Sequence, residues 1–272
     1  MTTTSEQLLA WDPARGLADA PPVPDGRLLA ADSWLISDGH VRALPRHRER
    51  FLHACAETSD LSAGQLSAFW RDMTAALPHA GRWFPRVELV PAGPAGQPGL
   101  RFRLRVAPPL SPEVRLWAQG QPDPRTAPRR KGPDLGALAG VRDLAVSRGA
   151  DEAVLTTDSG VVIEAAHSSI LWWEGQTLCL PSPELLLLPG VTSGLIEERA
   201  HRSGIPVGHR FRTVPELDGR EVWLVNALHG IRPVTGWTGG PTGAGPMRAG
   251  PAARAAEWRS WLAEMADPLP LD

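Results

Sequence analysis

The sequence predicts a mixed α/β (α+β) chain built as two units. Three observations carry that reading. Short strand-like segments joined by tight Gly-containing turns recur in both halves. Amphipathic helical stretches fall between them. One tract, GQPDPRTAPRRKGP (120–133), is so rich in proline and charge that it separates the halves. The linker is placed at 120–130, between a small α+β domain over 26–119 and a larger domain over 131–272. Residues 1–25, rich in Pro and Asp, are expected to be irregular.

The elements follow in order. From Gly26, RLLAADSWLI and SDGHVRAL read as two strands around an Asp38–Gly39 turn. Pro45 opens a helix, RHRERFLHACAETS, that places Phe51, Leu52 and Cys55 on one face. A second amphipathic helix spans 61–79. WFPRVELV (83–90) and LRFRLRVAP (100–108) alternate as strands across the loop PAGPAGQPG. In the second half a helix is expected from Asp134 to Arg148. EAVLTTDSGVVIE then forms a strand–turn–strand, and SILWWEGQTLCLP a hairpin turning at Glu174–Gly175. LPGVTSGLIEERAHRSG enters a helix from a glycine turn. Strand signals recur at 208–214 and 221–226, TGGPTGAGPMRAGP (238–251) is a connector, and AARAAEWRSWLAEMA closes the chain as a helix.

Composition excludes several function classes. The net charge is −2 and the arginines are spread along the chain against 30 acids, so no nucleic-acid partner is indicated. Cys55 and Cys179 have no CxxC spacing and the eight histidines include no HExxH, so no metal site is expected. Both cysteines are expected to pack as small apolar residues. The N-terminus, MTTTSEQLLAWDPARG, has neither a basic n-region nor an apolar h-region, and runs such as Leu185–Leu188 are too short to span a bilayer. The chain is expected to be cytoplasmic, with no membrane partner.

Of the 28 basic residues, Lys131 is the single lysine. Arginine stays protonated, whereas a desolvated lysine amine can lose its proton and attack a carbonyl. A lone lysine is also compatible with a plain surface residue, and its neighbours decide. HRERF (47–51) sets His47 and Arg50 in an HxxRF arrangement at the start of a helix, and Glu164 ends a strand in GVVIEAAHSSILWW. LPGVTSG (188–194) puts backbone amides and the Thr192 hydroxyl at a helix N-terminus. A lysine for a Schiff base, a carboxylate for a pyridine nitrogen, and a helix N-terminus plus arginine for a phosphate are the set that pyridoxal phosphate needs. Other readings stay open: Arg50 can pair with Glu49 or Asp60, and Thr192 can be only a cap.

The order and wording of these patterns resemble the class IV aminotransferase family, two-domain fold-type IV enzymes whose larger domain is built around a barrel-like sheet. The resemblance covers roughly residues 26–235 and is strongest over 131–200. VNALHGIRPV (225–234) is closest in wording to its 4-amino-4-deoxychorismate lyase branch. The resemblance implies pyridoxal 5′-phosphate held in a cleft between the domains, with Lys131 as the catalytic Schiff-base lysine and Glu164 on the ring nitrogen. It implies Arg50, Val191 and Thr192 as phosphate ligands, and Asn226, Ala227 and Leu228 beside phosphate and substrate. Ser33, His167 and Ser169 are substrate-side candidates, and His47 supports the hairpin by hydrogen bonding. Ser169 stands where the family usually has Asn, and the chain has no tyrosine, unlike the family's branched-chain and D-amino acid aminotransferases. The expected activity is therefore a lyase that releases pyruvate and forms 4-aminobenzoate for folate biosynthesis or a specialised pathway. A class IV aminotransferase acting on a D-amino or branched-chain/hydrophobic amino acid is the second expectation, and a catalytically degenerate binding subunit the third. Similar proteins are homodimers, so the implied partners are a small-molecule amine substrate and a second copy.

Overall fold

The computed structural model of the chain describes residues 6–20, 27–91, 98–239 and 246–270. The chain divides into two compact units, Met1–Pro109 with Arg130–Pro133 and Met265–Asp272, and Leu110–Arg129 with Asp134–Glu264.

The first unit holds β1 (Glu6–Asp12), β2 (Gly16–Asp19), β3 (Ala30–Ser33), β4 (Ile36–Ser37), β5 (His40–Arg42), α1 (Leu44–Thr58), α2 (Ala63–Ala75), β6 (Arg82–Trp83), β7 (Arg86–Val90) and β8 (Gly99–Arg105). An antiparallel sheet runs in the order β2-β1-β8-β7-β3. Alternation sorts its faces: Val87, Leu89, Leu100 and Phe102 enter a core with Phe51, Phe69 and Met73, while Arg86, Glu88, Arg101 and Arg103 project from the other face. Pro45 fits the first turn of α1, where its missing N–H costs nothing. Ser62 and Gln65 form a reciprocal capping box that starts α2. Each fully buried Phe or Met contributes about 1.5–3 kcal/mol through its removal from water.

The second unit holds β9 (Val114–Pro122), α3 (Leu135–Ser147), β10 (Glu152–Thr156), β11 (Val162–Ala165), β12 (Ser169–Glu174), β13 (Thr177–Pro181), α4 (Val191–Arg202), β14 (Val207–Arg210), a 3₁₀ turn at Val214–Leu217, β15 (Val222–Asn226), β16 (Gly230–Thr238) and α5 (Ala255–Glu264). Its eight-stranded sheet runs β11-β10-β9-β16-β15-β12-β13-β14. The sheet curls until its edges nearly meet: Val162 N–H donates to Arg212 C=O at 2.7 Å, just past β14. This is the barrel-like sheet expected from the resemblance. Its core includes Leu116, Val154, Ile170, Trp172, Cys179 and Leu224. Trp258 of α5 packs edge-on against Trp173 and at a tilt against Trp223. A last strand, β17 (Ala266–Pro268), returns to the first unit and pairs with β5, whose sheet runs β17-β5-β4-β6.

Four expectations need correction. The N-terminal region is not irregular over 6–12 and 16–19, because β8 offers β1 a pairing edge and Leu9, Trp11 and Leu17 pack on the first core. The expected linker is in part strand: β9 reaches Pro122, pairing with Thr156, and the following turns are pinned by side chains described below. Lys131 groups with the first unit rather than opening the second, because Ala31 N–H donates to its carbonyl at 2.7 Å. The strand expected over 208–214 stops at Arg210, where Thr213 and Glu216 cap the 3₁₀ turn. The Asp38–Gly39 and Glu174–Gly175 turns, the two first-unit helices and α3, α4 and α5 fall where expected; the start at Gly26 lies outside the described residues.

Candidate active site

In the first unit the site is built around a residue the sequence reading passed over. Asp32 lies opposite Val87 in the β3–β7 register, so its carboxylate falls on the face that carries α1, and it is fully buried. An ionised carboxylate there needs partners. It accepts from Ser33 N–H at 2.7 Å, His47 Nδ1 at 2.8 Å, and Arg50 Nε and Nη2 at 2.8 Å each. Burial pushes Asp32 upward, but Arg50 and His47 outweigh it and hold the carboxyl well below the usual range. His47 is pushed down by burial against the pull of Asp32, so its Nδ1–H donates from a neutral ring. The expected role of His47 as a hydrogen-bonding support holds, though its partner is Asp32. Arg50 pairs with Asp32.

Lys131 is tied to β3 through its carbonyl. Gly132 makes this possible: its φ is +133°, and a Cβ there would lie 2.8 Å from Ala30 C and Ala31 N. The Lys131 amine is half-buried and pushed down to about 8, first by desolvation and then by Arg50, Arg86 and Arg105, with Asp32 opposing. Ser33 sits two residues along β3 from Ala31, on the same side of the strand, and is buried.

In the second unit, Glu164 on β11 is 5% exposed. Its Oε2 accepts from Arg125 Nη1 and from Leu188 N–H at 3.1 Å, and its Oε1 is 3.4 Å from Ser169 Oγ. Burial raises Glu164, and Arg125 and the Leu188 amide partly counter it. Ser169 also packs beside Gly190, the residue that precedes α4: a Cβ on Gly190 would lie 2.7 Å from Ser169 Oγ. Glu164, Ser169, Val191 and Thr192 are thus brought together. The start of α4 has no side-chain cap, which leaves the amides of its first turn for an anion.

Asn226 is engaged with its own turn and with the 167–168 turn. Its Oδ1 accepts from Leu228 N–H at 3.1 Å and His229 N–H at 2.8 Å, and its Nδ2 donates to Ser168 Oγ at 3.0 Å and His167 C=O at 3.3 Å. It holds the Asn226–His229 turn, including Ala227, against the 167–168 turn. Beneath lie buried Glu152 and Arg232, the latter donating to Ser168 Oγ at 3.2 Å. Burial and Arg232 push His229 down to about 4, and its neutral Nδ1 accepts from Ser111 N–H.

Arg125 and Asp32, which hold the candidate residues Glu164 and Arg50, were passed over in the sequence reading. Arg125 was hidden in an apparent linker, and Asp32 in an apolar strand. A lone acid amid AADSW, with HxxR one element later, was the available signal for Asp32. Among the described residues no group of three or more His, Cys, Asp or Glu is arranged to hold a metal ion, and no helix is long and apolar enough to cross a membrane.

The sequence profile of the amino-transferase class IV family matches residues 29–237. The chain belongs to the class IV aminotransferase family. The fold agrees with solved structures of low identity. A branched-chain aminotransferase from Thermoproteus uzoniensis with norvaline is 18% identical, with a TM-score of 0.78 over 97% of this chain and 100% of that one. The branched-chain amino acid aminotransferase from Escherichia coli is 13% identical, with a TM-score of 0.78 over 98% and 100%. A hypothetical aminotransferase from Mycobacterium tuberculosis, PLP-bound, is 16% identical, with a TM-score of 0.75 over 96% and 98%. No curated protein sequence matches.

Class IV aminotransferases are pyridoxal phosphate-dependent enzymes, and this member has the residues that fit the cofactor. A lysine amine with a depressed pKa, a buried carboxylate with one oxygen held, among the described residues, only by a long hydroxyl contact, and an uncapped helix start are suited to its aldehyde, its ring nitrogen and its phosphate.

Proposed function

We propose that this class IV member is a pyridoxal phosphate-dependent lyase resembling 4-amino-4-deoxychorismate lyase, eliminating pyruvate to give 4-aminobenzoate. The observation that carries the reading is the backbone bond from Ala31 N–H to the Lys131 carbonyl, which ties the single lysine to the strand that bears Ser33, together with a side-chain amine pushed down to about 8. The cofactor, when bound, supplies an electron sink for the pair left on the carbon that bears the substrate nitrogen. The protein's groups do the rest. Lys131 Nζ removes the proton from that carbon, the ring C–O bond to the enolpyruvyl group breaks as the ring becomes aromatic, and Lys131 returns the proton to the enolpyruvate, which leaves as pyruvate. Ser33 donates to the departing enolpyruvyl group, and Glu164 keeps the ring nitrogen protonated. Arg50, the Val191 amide and Thr192 hold the phosphate, and the Asn226–Leu228 turn and His167 border the substrate. The absence of tyrosine and the wording Asn226-Ala227-Leu228 support the lyase branch. As in similar proteins, the working form is a homodimer.

A second reading is a class IV aminotransferase acting on a D-amino or hydrophobic amino acid. It is favoured by the structural neighbours, among them the M. tuberculosis protein in an α-ketoglutarate- and PMP-bound form. The visible spectrum of the cofactor-loaded protein, taken with D- and L-amino acids and then with aminodeoxychorismate, separates the two. A band that survives the amino acids, with pyruvate and 4-aminobenzoate released from aminodeoxychorismate, supports the lyase. Bleaching to the amine form by one amino acid overturns it in favour of the transaminase.

A further inference from the structure

We infer that Arg125 is a positioning residue for the cofactor ring: it fixes the Glu164 carboxylate by Oε2, so that Oε1 is the oxygen presented to the ring nitrogen. This rests on the reading that the site binds pyridoxal phosphate.

Arg125 is tethered on several sides, and its side chain is only 5% exposed. Nε donates to both Asp123 oxygens at 2.8 and 2.9 Å, and Nη2 donates to Asp123 Oδ2 at 2.7 Å. Nη2 also donates to Leu186 C=O at 3.2 Å, and Nη1 to Glu164 Oε2. One guanidinium therefore joins the end of β9, strand β11 and the loop that runs into α4. Its own segment is pinned as well: Asp134 accepts from Thr126 N–H and Oγ1–H and from Ala127 N–H, all within 2.9 Å. That segment leads in sequence to Lys131.

The consequence for Glu164 is directional. A carboxylate turns about its last torsion unless both oxygens are engaged differently. Here Oε2 accepts from Arg125 and the Leu188 amide, while Oε1 has, among the described residues, only the long Ser169 contact. The guanidinium also favours the anionic form of a carboxyl that burial otherwise pushes toward neutrality. A neutral Glu164 cannot hold the ring nitrogen cationic; an anionic, oriented one can. The planar five-donor fork of arginine suits the double task, and the single ammonium of lysine does not.

The test is binding, not turnover. Apo-protein is titrated with pyridoxal phosphate and with the carbocyclic analogue that carries CH in place of the ring nitrogen. The wild type is expected to prefer pyridoxal phosphate by roughly tenfold or more, the size of one charge-assisted hydrogen bond. Arg125→Met is expected to erase most of that preference while leaving affinity for the analogue within about twofold, which a merely structural residue would not do. Arg125→Lys, the gentler change should the methionine variant fail to fold, is expected to lose at least about threefold of the preference. Full preference in a folded variant, or equal loss of both ligands, overturns the role of Arg125. If the wild type binds neither ligand, the cofactor reading itself fails, which is a different result.

Discussion

Arg50 grips Asp32 through two parallel hydrogen bonds, Nε to Oδ2 and Nη2 to Oδ1, each 2.8 Å long. The residue that sequence reading assigns to the phosphate is thus oriented by a buried carboxylate on the neighbouring strand. Removing one partner of such a pair leaves the other charge buried and unpaired.

Asp32→Asn should therefore destabilise the protein by about 3–5 kcal/mol in urea unfolding and weaken cofactor binding through a misdirected Arg50. The wild type should show a matching acid dependence. Because the folded carboxyl titrates below its ordinary 3.8, its contribution is complete above that value and is lost as pH falls below it. In the Asp32→Asn variant the loss of stability over that window should be smaller. An equal acid slope in both proteins contradicts the assignment.

Lys131 gives the opposite limb. Its folded amine titrates near 8 and an unfolded one near 10.5, so between these values the unfolded chain binds more protons and stability rises with pH. The rise amounts to at most about 3 kcal/mol. Cys55 opposes it above pH 9, since its buried thiol is pushed up to about 12 and stays protonated when folded. The difference between wild type and Lys131→Met in alkaline denaturation isolates the lysine. The methionine variant should lack this rise.

A chemical label offers a third check, because no other side-chain amine exists in the chain. Pyridoxal phosphate followed by borohydride should add one phosphopyridoxyl mass to the peptide containing Lys131. Lys131→Ala should keep its fold, lose the label and lose turnover. Turnover retained without the lysine sinks the catalytic assignment.

How much of this was legible follows the physics of each residue. Elements with strong local signals, such as the Ser62–Gln65 capping box, the Asp38–Gly39 turn and the alternation of β7 and β8, are written in neighbouring residues. Lys131, Glu164 and the start of α4 stood out as candidates because their chemistry is rare in this composition or lies in a contiguous motif. Asp32 and Arg125 did not, because their roles depend on partners 15 to 61 positions away. The strands β1 and β2 were missed for a related reason: β1 takes its order from the edge of β8. The hydrogen bonds from Leu228 and His229 to the Asn226 side chain were not foreseen, because they depend on the conformation of the turn.

Two glycine-to-alanine changes should part company. At Gly132 the added Cβ meets backbone, 2.8 Å from Ala30 C and Ala31 N, and φ is +133°. The backbone conformation alone costs about 1–3 kcal/mol, and the clash must push Lys131 off Ala31. Gly132→Ala should lower the unfolding midpoint clearly and abolish pyridoxyl labelling. At Gly190 φ is −71°, which alanine adopts freely, and the Cβ meets the hydroxyls of Ser193 at 2.5 Å and Ser169 at 2.7 Å. Hydroxyls can rotate away at the loss of about one hydrogen bond, ~1 kcal/mol. Gly190→Ala should therefore keep most of the stability and still label Lys131. It should weaken pyridoxal phosphate binding, because Ser169 is pushed from Glu164 and the first turn of α4 is crowded. Thermal unfolding and a cofactor titration on the two variants decide the matter. A Gly190 variant that binds as tightly as wild type would remove the start of α4 from the site.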